Sequence, residues 1–164
     1  MQVKCFEFNF LPVNTYVIWD ETKEAAVIDP GCFYPGETET LAAFIRDNGL
    51  TVRLLLNTHL HFDHVFGNLF VEETYGVKAY ANDLDMPWIN TMAARMAVFG
   101  INYEGHVNPI EPDHILHEGD TVLRPDGEET GHHRGRGARK GRTGQSKKGC
   151  IKQKENRPNG RFSF

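Results

Sequence analysis

Residues 51–57, TVRLLLN, constrain the fold more than any other stretch of the chain. They are apolar almost without interruption, the pattern of a strand buried on both faces rather than one with a face in water. Such a strand needs cover above and below, so the chain must supply helices or a second sheet on each side. The flanking segments provide them. Residues 38–48 place Leu41, Phe44, Ile45 and Asn48 at helical spacing, with Glu37 and Glu39 suited to the N-terminal dipole and Gly49 to the C-cap. Residues 65–75 read as a second helix with Gly76 beyond its end, and residues 77–81 as a strand. Residues 83–99 read as a third helix, with Pro87 in its first turn or at a kink.

Upstream, residues 2–10 alternate polar and apolar as a strand does, and residues 15–19 and 25–29 form a hairpin around the polar DETKE turn. Asp29-Pro30-Gly31 stops the second of these, because proline lacks a ladder donor and glycine permits a sharp turn. Residues 115–116 and 121–124 read as further short strands. Strands and helices in alternation predict a layered α/β fold.

Charge divides the chain in two. Residues 1–130 carry 7 Lys+Arg against 21 Asp+Glu, whereas residues 131–164 carry 11 against 1, so the net charge of −4 conceals two opposed regions. The second region contains no Leu, Val, Met, Trp or Tyr. It cannot bury enough apolar surface to offset its ordering entropy, so a domain over 1–130 followed by a disordered basic tail over 131–164 is expected. Three cysteines at wide spacing (Cys5, Cys32, Cys150) suit reduced thiols and a cytoplasmic location rather than a disulfide framework. The first residues, MQVKCFEFNF, lack the pattern of a signal peptide, and no run approaches the roughly 18 apolar residues of a membrane helix.

Immediately after the buried strand comes Asn57-Thr58-His59-Leu60-His61-Phe62-Asp63-His64. Three imidazoles and a carboxylate within six residues are donors that suit zinc, on a strand-end loop that a rigid scaffold can aim. In an extended loop, His59 and His61 point the same way and can share one ion. Asp63 and His64 lie where the chain turns into the next helix and can face a second ion, and such a pair can clamp and deprotonate water. His106, His114 and His117 occupy a polar, proline-containing stretch and read as solvated. Met86, Ile89, Ala93 and Met96 read as a core stripe on a helix that partly roofs the loop, and Cys32 as a buried structural thiol.

The H-x-H-x-D-H segment, with Asn14-Thr15-Tyr16 and the Asp29-Pro30-Gly31 turn before it, resembles the metallo-β-lactamase superfamily and, within it, the glyoxalase II-like hydrolases. The resemblance covers about residues 1–126 and implies an αββα sandwich, incomplete at its C-terminal half. It implies His59 and His61 as ligands of a first metal and Asp63 and His64 as ligands of a second, two zinc ions in the intact site, with iron or manganese as alternatives. Asp63 would also serve catalysis by orienting the attacking hydroxide, and Asp29 would brace the site loops. The implied activity is hydrolysis of a small thioester or ester.

The chain departs from the family pattern in lacking a Pro-Gly-His turn and any aspartate after Asp126. Gly131-His132-His133 falls near the place of the first missing histidine, in unlike surroundings. The change of composition there resembles a shifted reading frame or a chimeric end, so impaired activity and an uncovered apolar sheet face are expected. Two further readings stay open. One is iron-dependent persulfide oxidation on the same scaffold. The other is a non-catalytic fragment whose basic tail holds polyanions, although specific nucleic-acid binding is not expected because aromatics are confined to Phe162 and Phe164.

Overall fold

The computed structural model describes residues 1–102, 114–122 and 162–163. Their framework is a six-stranded mixed sheet in simple sequential order, β1 to β6. β1 (Gln2–Phe8), β2 (Val13–Trp19) and β3 (Glu24–Ile28) form an antiparallel meander, in which β2 and β3 are the hairpin that the DETKE turn predicts. From β3 onward the sheet runs parallel, through β4 (Thr51–Leu56), β5 (Ala79–Asn82) and β6 (Ile115–Leu116). The parallel strands are joined by α1 (Pro35–Asp47) and by the helical segments after β4 and β5.

The apolar run of β4 is buried on both faces, and a bulge accounts for its one interruption. Ala25 pairs with Val52 but Ala26 pairs with Leu54, so Arg53 is skipped in the register. The extra residue switches the side-chain alternation, which puts Val52 and Leu55 on one face and Leu54 and Leu56 on the other. Arg53 itself stays exposed, and its Nε donates to Glu24 Oε1 at 3.2 Å.

The two faces carry two apolar clusters. The larger joins Val17, Val27, Leu55 and Ala81 of the sheet to Leu41 and Ile45 of α1 and to Phe62, Val65, Phe66 and Val71. The smaller gathers Ile18, Ala26, Ile28, Leu54, Leu56, Leu116 and Val122. All seven are buried. Two residues of the basic C-terminal region, Phe162–Ser163 (β8), pair antiparallel with Thr121–Val122 (β7). The remainder of 131–164, including His132 and His133, lies outside the described residues.

Helix boundaries differ from expectation for identifiable reasons. α1 starts three residues early because Pro35 fits the first helical position and the Glu37 carboxylate receives the free amides of Phe33 and Tyr34, at 2.8 and 2.9 Å. The helix expected over 65–75 is two helices, α2 (Phe62–Val65) and α3 (Asn68–Tyr75), divided at Gly67. There the chain is pressed against the Pro30 turn, with the Gly67 amide donating to the Pro30 carbonyl at 2.7 Å. α3 closes on Gly76 in the left-handed conformation, as its position predicts. The helix expected over 83–99 is likewise broken, into a 3-10 turn (Asp83–Asp85), α4 (Met86–Ile89) and α5 (Met92–Val98). That break spoils the projected stripe: Met92 and Met96 are buried while Ala93 is exposed. Among the described residues no helix is long and apolar enough to cross a membrane.

Candidate metal centre

Parallel strands β3, β4 and β5 end on the same edge, and each delivers polar residues there. Asp29 follows β3, the His59–His64 segment follows β4, and Asp83 and Asp85 follow β5. The crevice beyond the carboxyl ends of parallel strands is the usual place for a ligand in such sheets.

The loop after β4 is fixed from beneath. The Asn57 amide donates to the Tyr80 carbonyl at 2.8 Å, and the Asn57 side chain exchanges hydrogen bonds with that of Asn68. Asp29 fixes it from the side. Asp29 is 3% exposed and holds the left-handed backbone at φ 48°, uncommon for a residue other than glycine. Its Oδ1 accepts the Thr58 amide at 2.7 Å, its Oδ2 accepts the Thr58 hydroxyl, and the same Oδ2 lies 3.2 Å from His64 Nδ1. The buried Thr15 hydroxyl ties the turn closed, donating to the Asp29 carbonyl at 2.7 Å and accepting the Gly31 amide at 2.9 Å. These contacts match the bracing role expected of Asp29.

The four motif residues are neighbours, but only His59 and His64 fall in a group of donors close enough to share one ion, and its third member is Asp29 rather than His61 or Asp63. The His59 ring centroid lies 4.5 Å from that of His61 and 3.9 Å from that of His64, and Asp63 Oδ2 lies 3.7 Å from His64 Nε2. Ligand atoms from Asp29, His59 and His64 all fall within 4.8 Å of one another, a group able to hold an ion. His64 Nδ1 is buried and has no aligned hydrogen-bond partner, despite its closeness to Asp29. The His59 imidazole is held below its usual pKa, by burial first and by neighbouring His64 second. That favours the neutral form, which can donate a lone pair to a metal.

Other residues around the site were not singled out by their sequence. The Trp88 ring stands edge-to-face with His61 at 4.7 Å. Trp88 falls off the stripe traced by Met86, Ile89, Ala93 and Met96, so helical spacing gave no reason to choose it. Asp85, in the turn before α4, has its carboxyl pKa raised by burial, with His59 and His61 opposing the shift. Asn9, at φ 56°, holds the loop through its side-chain amide. Cys32 is buried, as expected, and burial pushes its thiol up to about 12.

Of the three outlying histidines, His106 lies outside the described residues. His117 is exposed beside Asp83 and Asp120, in keeping with a solvated residue. His114 is not simply solvated: its ring packs on Tyr80 at 4.5 Å and its Nδ1 is buried, because the pairing of β6 with β5 carries it against that ring.

The chain is similar in sequence and in fold to known proteins. The family model described as the metallo-beta-lactamase superfamily matches residues 8–138. Hydroxyacylglutathione hydrolase GloC of Haemophilus influenzae is 29% identical over 128 residues, which cover 77% of this chain and 57% of that protein. The hydroxyacylglutathione hydrolase of Pelagibacter ubique is 35% identical over 86 residues, 51% of this chain and 32% of that one. The chain thus spans about half, or less, of the length of these curated relatives. Among solved structures, the BLEG-1 B3 metallo-beta-lactamase superposes with a TM-score of 0.62 at 24% identity, covering 76% of this chain and 57% of its own, a likeness of fold. TTHA1623, solved in a di-iron-bound form, superposes with a TM-score of 0.59 at 26% identity, covering 71% and 55%.

Proposed function

The chain belongs to the metallo-beta-lactamase superfamily, and from that premise we propose that His59, His61, Asp63 and His64 bind metal for the hydrolysis of a small thioester or ester. The observation that carries this reading is the convergence of three imidazoles and a carboxylate at the end of buried β4, with His64 Nδ1 buried and lacking an aligned partner. A cluster of neutral and anionic donors with a polar atom left over suits a divalent cation.

In this reading His59 and His61 serve one ion and Asp63 and His64 a second, and zinc is the proposed metal. Bound there, a divalent ion supplies Lewis-acid polarisation of a carbonyl and acidifies water. The protein's own groups do the rest. Asp63 orients the attacking water through its carboxylate. Asp29 holds Thr58 in place and lies beside His64, and Thr58 Oγ1 in turn sits 3.1 Å from His59 Nδ1. Such outer contacts fix ring orientation and raise ligand basicity. The likeness to two hydroxyacylglutathione hydrolases supports a hydroxyacyl thioester of glutathione as the first substrate to try.

Equilibrium dialysis of the 164-residue chain against zinc tests the site. Saturable binding that His61→Ala weakens at least tenfold is expected, and equal affinity in the two proteins would exclude the assignment. Metal analysis of the purified chain separates zinc from iron, the metal of the TTHA1623 structure. Release of thiol from a hydroxyacylglutathione, lost in Asp63→Asn, tests the activity.

A further inference from the structure

The three histidines of the site are not oriented in the same way. His59 has the Thr58 hydroxyl at 3.1 Å from its Nδ1, and His64 has the Asp29 carboxylate at 3.2 Å from its own, close by though not aligned as a hydrogen bond. A metal-binding imidazole commonly has its second nitrogen held by such an oxygen. His61 has none: among the described residues no hydrogen bond reaches its ring, and the residue is exposed at the N-terminal boundary of α2. An exposed imidazole without a hydrogen bond would sample several rotamers, and each departure from the ligating one would weaken a metal site.

What the ring does have is the indole of Trp88, edge-to-face at 4.7 Å, besides the 4.5 Å contact with His59. Trp88 is itself held. The Arg95 guanidinium carbon lies 3.5 Å from the indole centroid, within the range of a cation–π contact. Arg95 Nε donates to the Thr91 hydroxyl at 3.1 Å, and that hydroxyl donates to the Trp88 carbonyl at 3.2 Å. Arg46 and Arg53 each pair with a carboxylate, whereas Arg95 has no such partner among the described residues and lies against the indole. The contacts therefore form a series running from Thr91 through Arg95 and Trp88 to His61.

We propose that Trp88, clamped by Arg95, is the positioning residue of His61, supplying by ring contact the restraint that a nearby side-chain oxygen offers the other two histidines. The inference rests on His61 being a metal ligand and assigns to α4 and α5 a part in preparing that ligand. A packed edge-to-face pair restricts the tilt and swing of the imidazole while leaving both nitrogens free of protein hydrogen bonds. Preparing His61 in this way lowers the ordering cost of ligation without adding a donor.

The chain has two tryptophans, and Trp19 is buried against Phe44 on β2, so Trp19→Phe isolates the Trp88 signal in the full-length protein. In that background, zinc or cobalt(II) should change Trp88 emission with the midpoint that equilibrium dialysis gives for the same metal. Trp88→Leu, which keeps apolar bulk without a ring, should weaken zinc binding by about tenfold, in the range seen when outer contacts of metal ligands are lost. Trp88→Phe should restore affinity to within about threefold, and Arg95→Met should cost roughly threefold, the scale of a partly exposed cation–π contact. Thermal melts confirm that each variant is folded. Wild-type zinc affinity in folded Trp88→Leu, or metal binding with no response from Trp88, overturns the positioning role while leaving the metal site standing. Failure of the unsubstituted chain to bind zinc more tightly than His61→Ala overturns both.

Discussion

The side-chain amide of Asn9 donates to the backbone carbonyl of Asp63 at 3.1 Å, joining the first turn of the meander to a proposed metal ligand 54 positions away. The same amide reaches the Gly31 carbonyl at 2.8 Å, and the Asn9 backbone amide donates to Glu37 Oε1 at 2.6 Å. One residue thus ties the β1–β2 turn, the Asp-Pro-Gly turn and the motif loop together. Asn9→Ala removes both side-chain donations and places alanine at φ 56°, where asparagine is tolerated far better. A loss of about 2–3 kcal/mol in urea unfolding is expected from these two effects together. Asn9→Gly keeps the backbone conformation and should lose about 1–2 kcal/mol. Equal losses in the two variants would mean that the backbone conformation contributes nothing.

Two glycines test how tightly the site loops are stacked. A Cβ at Gly67 would sit 2.7 Å from the Pro30 carbonyl oxygen and 3.1 Å from Pro30 Cβ, contacts that rigid backbone cannot relieve. Gly67→Ala should therefore cost about 2–4 kcal/mol, the scale of overpacking at a fixed point. Gly76 has open space around its Cβ position but φ of 68°, so Gly76→Ala should cost only about 1 kcal/mol. Denaturation midpoints in the reverse order would contradict the close approach of the motif loop to the Pro30 turn.

The two described cysteines should differ sharply in reactivity. Cys5 is exposed on β1, while Cys32 is buried beside the Asp-Pro-Gly turn with its pKa pushed up to about 12, first by burial and then by the Glu37 charge. At pH 8 roughly one Cys32 thiol in ten thousand would be ionised, against about one in four for an ordinary cysteine. Iodoacetamide should label Cys5 within minutes and Cys32 only as the protein opens, with peptide mapping to distinguish the sites. Comparable native-state rates would show that the turn is open to solvent.

How much of this was legible beforehand follows from the physics of each signal. Strand positions could be read because alternation, the DETKE turn and the apolar run are local patterns. The skipped register at Arg53 was not legible, since a lone arginine in an apolar run fits a bulge and an exposed edge position equally well. The four motif donors were legible because their chemistry and spacing occur together within six residues. Trp88 and Asn9 reach the site through tertiary contacts alone, with nothing in their own neighbourhoods to mark them. The breaks at Gly67 and after Ile89 were hidden for a similar reason. Helical spacing continues through both in the sequence, and at Gly67 what divides the helix is a turn more than thirty residues upstream.

Asp29 poses the sharpest remaining choice, because its carboxylate is near enough to His59 and His64 to share an ion with them and is also engaged by Thr58. The hydrogen bonds favour bracing. Both oxygens already accept from Thr58, and an oxygen that also ligated a metal would have to divide its lone pairs between the two. If bracing is correct, Asp29 and the Thr58 hydroxyl act through a shared contact, beside the Thr58 amide bond that Thr58→Val leaves in place. Asp29→Asn and Thr58→Val should each destabilise the metal-free protein by about 1–2 kcal/mol, and the double variant by distinctly less than their sum, with a coupling of at least roughly 0.5 kcal/mol. Zinc affinity should fall by about tenfold in both single variants, the scale of a lost outer contact. If Asp29 is instead a ligand, Asp29→Asn should abolish zinc binding at that position while Thr58→Val leaves it near the wild-type value. Urea unfolding with equilibrium dialysis on the four proteins separates these outcomes, and near-normal zinc affinity in Thr58→Val beside a total loss in Asp29→Asn would exclude bracing as the role of Asp29.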